Sequence, residues 1–165
     1  MPKRARCPHC DGLFNRDMLD GHVQKCREKK RKGDRGISRK RKQSIIVDGN
    51  NIAYHLSPAR KPLVKNLLLA HNSLTQGGYR PVYIISSALV NSVENLEVLN
   101  TFISSVEVMI APRGTNDDLK IIQVAQERNA DIISNDRFLD WIEKYPWLPE
   151  RLRRYRMTPT GLIVA

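Results

Sequence analysis

From residue 44 onward, short apolar runs rich in β-branched residues alternate with longer stretches in which apolar side chains recur every three or four positions. Ile45-Ile46-Val47 predicts a buried strand over residues 44–47. Leu63, Leu67, Ala70 and Leu74 fall at helical spacing and predict a helix over 62–75, which Gly77-Gly78 ends. Further strands are predicted over 81–85 and 106–110, with a helix over 95–103 between them. A helix over 117–128 leads into a strand over 131–134. Beyond it the pattern predicts a short helix over 138–143, another over 150–155, and a last edge strand over 161–164. Alternating strand and helix predicts an α/β fold, with a mostly parallel central sheet and helices on both faces.

Residues 1–43 follow no such pattern and carry most of the charge. They hold 15 Lys/Arg against 5 Asp/Glu, whereas residues 44–165 hold 13 against 12. A near-neutral globular part therefore carries a strongly basic front end, which attracts polyanions through counterion release. Residues 28–43, with the clusters Lys29-Lys30-Arg31-Lys32 and Arg39-Lys40-Arg41-Lys42, predict a solvated basic linker. Contact with a nucleic-acid backbone is the first role for it; a nuclear import signal and a plain spacer remain open.

All three cysteines lie in the first 26 residues, and the spacing is Cys7-x2-Cys10-x11-His22-x3-Cys26. An odd, clustered set points to metal ligation in a reducing compartment rather than to disulfides. Cys7 and Cys10 can share a tight turn, and His22 and Cys26 share a helix face. Together they supply the four N/S ligands of a closed, structural Zn2+ site. Residues 5–27 are thus expected to form a C2HC-type zinc finger with Phe14 and Leu19 as its small core, folding with its metal. His9, between two cysteines, is expected to face solvent. Whether the finger meets nucleic acid or protein is not written in its spacing.

The globular part, residues 44–165, carries the acidic chemistry. Asp48 follows one apolar strand and Asp136 follows another. Parallel strands share a carboxyl edge, where sites form in open sheets, so the two should converge. Asp118 lies on the apolar stripe of its helix with Ile121, Ile122 and Ala125, and Asp140 follows Asp136 by one helical turn. Carboxylates crowded into one cleft repel unless a cation is present. Oxygen donors select a hard ion, Mg2+ or Mn2+. Such an ion lowers the pKa of a water and stabilises charge on a phosphoryl oxygen, which fits hydrolysis of a phosphodiester. Each residue also has a plainer use: Asp117 or Asp118 as a helix cap, Asp48-Gly49-Asn50 as a turn, Asp140 as a solvated helix residue.

Ile46-Val47-Asp48-Gly49-Asn50-Asn51-Ile52-Ala53 resembles the opening strand of the NYN branch of PIN-like nucleases, and of Regnase-type ribonucleases in particular. Asn116-Asp117-Asp118, Ile133-Ser134-Asn135-Asp136-Arg137-Phe138-Leu139-Asp140 and the tail, residues 149–155 followed by Gly161-Leu162-Ile163-Val164, are similar to the same group. The resemblance covers residues 44–165 and implies a PIN-like Rossmannoid sheet. It implies a magnesium-dependent endoribonuclease that leaves a 5′-phosphate and a 3′-hydroxyl. It also implies a catalytic set of Asp48, Asn51, Asp117, Asp118, Asp136 and Asp140. The ion would be held by Asp48, Asp118 and Asp136, with Asp117 a further candidate, and Asn51 would orient a water or the substrate. The chain departs from the family in carrying its finger before the nuclease part and in Asn50, where serine is expected.

No apolar run is long enough to span a bilayer, so an intracellular, cytoplasmic protein is expected, or a nuclear one in a eukaryote. RNA is the expected partner, held in part by finger and linker; DNA and self-association stay open. The rival function is a non-catalytic RNA-binding adaptor on a nuclease fold. Arg151, Arg153, Arg154, Tyr155 and Arg156 are expected either to grip phosphate or to form a solvated face. His55 and His71 are expected to be structural or surface residues.

Overall fold

The structure is a computed structural model that describes residues 4–8, 10–35 and 42–165. The chain divides into two compact units, Met1–Arg41 and Lys42–Ala165. His9 and the cluster residues Arg39, Lys40 and Arg41 lie outside the described residues.

In the first unit, strands β1 (Arg4–Arg6) and β2 (Leu13–Asn15) form an antiparallel hairpin followed by helix α1 (Arg16–Arg35). Backbone helix thus continues to Arg35, into the segment expected to be linker. Residues Lys29 to Arg35 offer nothing that breaks a helix except Gly33, and Lys and Arg are good helix formers.

The second unit opens with β3 (Gln43–Asp48) and the short helix α2 (Gly49–Ala53). Then come α3 (Val64–Gln76), β4 (Tyr79–Ser86), α4 (Ser87–Ser92), α5 (Leu96–Ser105) and β5 (Glu107–Ala111). Helix α6 (Asp117–Arg128) leads to β6 (Asp131–Ile133). The chain closes with α7 (Leu148–Arg151), β7 (Leu152–Arg153), β8 (Tyr155–Thr158) and β9 (Gly161–Val164).

The central sheet has the order β5-β4-β3-β6-β7, and every neighbouring pair in it is parallel. Its middle strand is the apolar run Ile45-Ile46-Val47, buried on both faces, as parallel strands require. Alternate residues serve opposite layers. Ile45 and Val47 pack with Leu67, Ala70, Leu74, Leu99 and Phe102, from α3 and α5. Ile46 packs with Val82, Ile84, Ile121, Ile122 and Ala125, the last three from α6.

Three predictions near the C-terminus are corrected. The helix over 138–143 is a single 3-10 turn, Leu139–Trp141, entered through Phe138 in the left-handed region at φ 50°. The helix over 150–155 is instead the end of α7 followed by strand. Leu152 and Arg153 pair with Ile132 and Ile133, and Arg153 Nε donates to Asp131 Oδ2 at 2.9 Å. The sheet needed an edge partner there, and local periodicity does not report long-range pairing. The strand over 161–164 exists, but it pairs antiparallel with β8 in a separate hairpin. Ser73 of α3 accepts the Leu162 N–H at 2.8 Å and anchors that hairpin.

Candidate active site

The sheet reverses direction of build at β3: the chain first adds β4 and β5 on one side, then returns to add β6 and β7 on the other. Crevices at such switch points lie beyond the carboxyl ends of the strands. Asp48 ends β3 there and also caps α2, its Oδ1 accepting the Asn51 backbone N–H at 3.1 Å. Its Oδ2 accepts the Ser134 hydroxyl at 2.7 Å. The turn and site readings of Asp48 therefore coexist: the cap orients the carboxylate and leaves lone pairs on both oxygens. Gly49 is required by space, since its φ is unexceptional. A Cβ there would overlap the Ile85 side chain and stand 2.9 Å from the Ile84 carbonyl oxygen.

Helix α6 is capped by Asn116, whose side-chain oxygen accepts the N–H groups of Asp118 and Leu119. Neither Asp117 nor Asp118 is needed as the cap. Both stand in the first helical turn, partly buried, and Asn50 Nδ2 donates to Asp117 Oδ2 at 3.1 Å. The same Asn50 accepts the Ser86 N–H through Oδ1, so one amide ties the ends of β3, β4 and α6 together. Asp136 is set by its own turn: its Oδ1 accepts the Phe138 N–H, and its N–H donates to Ser134 Oγ.

The electrostatics mark convergence. Burial, the largest cause, pushes the Asp48 carboxyl up to about 6; the charges of Asp118 and Asp136 raise it further, while the Ser134 and Asn51 hydrogen bonds oppose the rise. Burial also raises Asp118, followed by Asp136 and Asp117, and Asp140 contributes last; a hydrogen bond from the Trp141 side chain pulls the other way. Asp117 is raised by burial against its hydrogen bond from Asn50. Asp48, Asp117, Asp118, Asp136 and Asp140 are thus electrostatic neighbours. The aspartates offer only oxygen donors, which suits Mg2+ or Mn2+.

Asn51 belongs to the scaffold of the site. Its Oδ1 accepts both the Asn135 N–H at 3.0 Å and the Tyr155 hydroxyl at 2.7 Å, so any contact with water or substrate falls to Nδ2. Tyr155 is buried, and burial together with Asp48 holds its phenol up, so it acts as a neutral donor. It is not an exposed aromatic in a basic patch. Asn135 completes the frame, its amide exchanging two hydrogen bonds with the Tyr155 backbone. Ser134, Asn135, Tyr155, Asn50 and Trp141 escaped sequence reasoning as site residues. Ser134 and Asn135 had one signal, their place beside Asp136 at a strand end. His71 packs against Tyr83 and Phe102, away from the acidic set, and burial lowers its pKa.

In the first unit, the Sγ atoms of Cys7, Cys10 and Cys26 and a ring nitrogen of His22 lie within 4.8 Å of one another. Tetrahedral zinc with ligands at roughly 2.3 Å spaces them about 3.8 Å apart, so small shifts bring them onto one ion. Phe14 stacks on the His22 ring at 3.7 Å and fixes its plane. Among the described residues this is the one group of three or more His, Cys, Asp or Glu placed to share an ion directly.

Two solved structures share the fold. Nuclear proteinaceous RNase P 2 (PRORP2) from A. thaliana aligns with a TM-score of 0.61 and 18% identity, over 99% of this chain and 40% of that one. A second structure, of Arabidopsis thaliana nuclear protein-only RNase P 2 (PRORP2), aligns with a TM-score of 0.59 and 17% identity, over 90% of this chain and 35% of that one. The present chain spans less than half the length of either. No curated protein matches it. A family model described as the Zc3h12a-like ribonuclease NYN domain matches residues 41–160, which include every aspartate of the cleft. With its parallel sheet, a strand order that reverses at β3 and that match over most of its length, the chain belongs to the Zc3h12a-like ribonuclease NYN family.

Proposed function

We propose that this chain is an endoribonuclease that hydrolyses RNA phosphodiester bonds with Mg2+ or Mn2+, leaving a 5′-phosphate and a 3′-hydroxyl. The observation that carries the proposal is the meeting of Asp48, Asp118 and Asp136, from three separate elements, at the carboxyl edge of the sheet. Asp48, Asp118 and Asp136 would hold the ion, with Asp117 beside them. When bound, the ion lowers the pKa of a water and stabilises charge developing on the phosphoryl oxygen.

The chain's own residues supply the positioning. Ser134 and the Asn51 N–H fix the Asp48 carboxylate and Asn50 fixes Asp117, while the Trp141 side chain favours the charged form of Asp118. Asp140 would act at the rim. The basic front end and the finger would raise the local concentration of RNA whatever its sequence.

Incubating the purified chain with end-labelled single-stranded RNA, hairpin RNA and flap DNA, in Mg2+ and then in EDTA, tests the proposal. Cleavage of RNA in Mg2+ alone is expected, and its loss in Asp48→Asn and Asp136→Asn with RNA binding retained. Undiminished cleavage by both variants sinks it, and preferential cutting of the flap moves it to DNA.

A further inference from the structure

Helix α1 carries an open groove of about 470 Å³ along one side. Phe14 and Asn15 form one wall, and Asp17, Met18, Gly21, His22 and Lys25 of α1 form the rest. On its rim Met18, a large apolar side chain, is 69% exposed. Gly21 makes the groove hollow. A glycine inside a helix weakens that helix, and no crowding within the chain asks for one here: a Cβ at Gly21 would meet nothing within 4 Å. Local structure therefore leaves this glycine unexplained. A second helix laid across the groove accounts for it, because a position without a side chain lets two backbones approach closely.

The charges around Gly21 choose that helix. Asp17 and Lys25 lie four residues to either side of it, on the same face and each about 6 Å along the axis. Among the described residues neither is ion-paired. The stripe of Asp17, Gly21 and Lys25 is thus its own complement when turned end for end. A second copy of α1, antiparallel about a two-fold axis at Gly21, sets Asp17 of each copy against Lys25 of the other and glycine against glycine. Met18 of each copy then enters the hollow between Gly21 and Lys25 of the other and leaves water. The antiparallel sense also sends the two Lys29-Lys30-Arg31-Lys32 runs to opposite ends, where a parallel pair would set them side by side. An RNA backbone laid here would meet the Asp17 charge as well as Lys25 and would leave Met18 in water.

We propose that this groove seats a second copy of the chain, α1 on α1, in a two-fold dimer held through the first unit. The pairing is independent of the ribonuclease function put forward above. A contact of a few helical turns is small, so a dimer dissociation constant on the order of 10 µM is expected. Sedimentation equilibrium of the whole chain with zinc bound, at low ionic strength and over about 1–200 µM, tests it. The wild type is expected to pass from monomer to dimer across that range. Gly21→Glu puts bulk and like charge on the axis and should raise the dissociation constant by roughly tenfold or more. Asp17→Lys should act in the same direction, because both cross-pairs become repulsive, and adding Lys25→Asp to it should restore the wild-type constant. All three positions are exposed, so each variant should keep the wild-type zinc content and melting temperature. A wild type that stays monomeric leaves the groove to some other partner and overturns the dimer. A dimer that both Gly21→Glu and Asp17→Lys leave intact overturns it too, by placing the contact elsewhere. So does an Asp17→Lys loss that Lys25→Asp fails to repair.

Discussion

Asp48 carries its charge where the surroundings resist it. Its carboxyl lies near 6 in the folded chain against 3.8 for the ordinary group, chiefly through burial. Protonation therefore stabilises the fold. That contribution is complete below pH 3.8 and is lost as pH rises through about 6, to the extent of about 3 kcal/mol. One or two fully buried aliphatic side chains offset such a cost, at roughly 1.5–3 kcal/mol each, and Ile46 and Val47 immediately precede it. In EDTA the melting temperature should fall as pH rises from 4 to 7, and adding Mg2+ at pH 7 should recover much of the loss. A melting temperature independent of pH in EDTA would contradict this account. The presence of the aspartates was legible in the sequence, because strand ends and helix faces are local. Their supports were not. Ser134 to Asp48 and Tyr155 to Asn51 are hydrogen bonds across 86 and 104 positions, and no spacing rule reaches that far.

At the scale of elements, the junction of β3 and α2 is the tightest point of the site. Gly49 lets the backbone pass against Ile84 and Ile85, so Gly49→Ala must push either α2 or β4 aside. The expected cost is about 1–3 kcal/mol, read as a lowered denaturation midpoint, with a larger loss of cleavage because Asp48 and Asn51 flank the displaced turn. A midpoint equal to wild type would show that the junction yields freely. The buried strands and the long helices α3, α5 and α6 could be read from hydrophobic period. The C-terminal elements could not: Arg151 to Arg156 alternate charge and apolar side chains over too few residues to choose a period, and pairing with β6 decides the outcome.

Across the whole molecule, two units differ in what folds them. Lys42–Ala165 has apolar layers on both faces of its sheet. Among its described residues the first unit, Met1–Arg41, buries Cys7 beside half-buried Phe14 and Leu19, too little for a core without metal. A strong zinc chelator should therefore abolish the order of the finger, seen as loss of its dispersed amide resonances. The main melting transition should stay within a degree or two. Joint loss of both would show that the nuclease unit depends on the finger.

The strand order has one further consequence, for synthesis. A growing polypeptide that has emerged as far as β5 holds Asp48 but not Asp117, Asp118 or Asp136, and the Tyr155 hydroxyl that braces Asn51 arrives later than any of them. The aspartate set is thereby incomplete throughout the first half of the unit's synthesis, and its brace comes after its last member, so an early product held at the ribosome lacks the proposed centre.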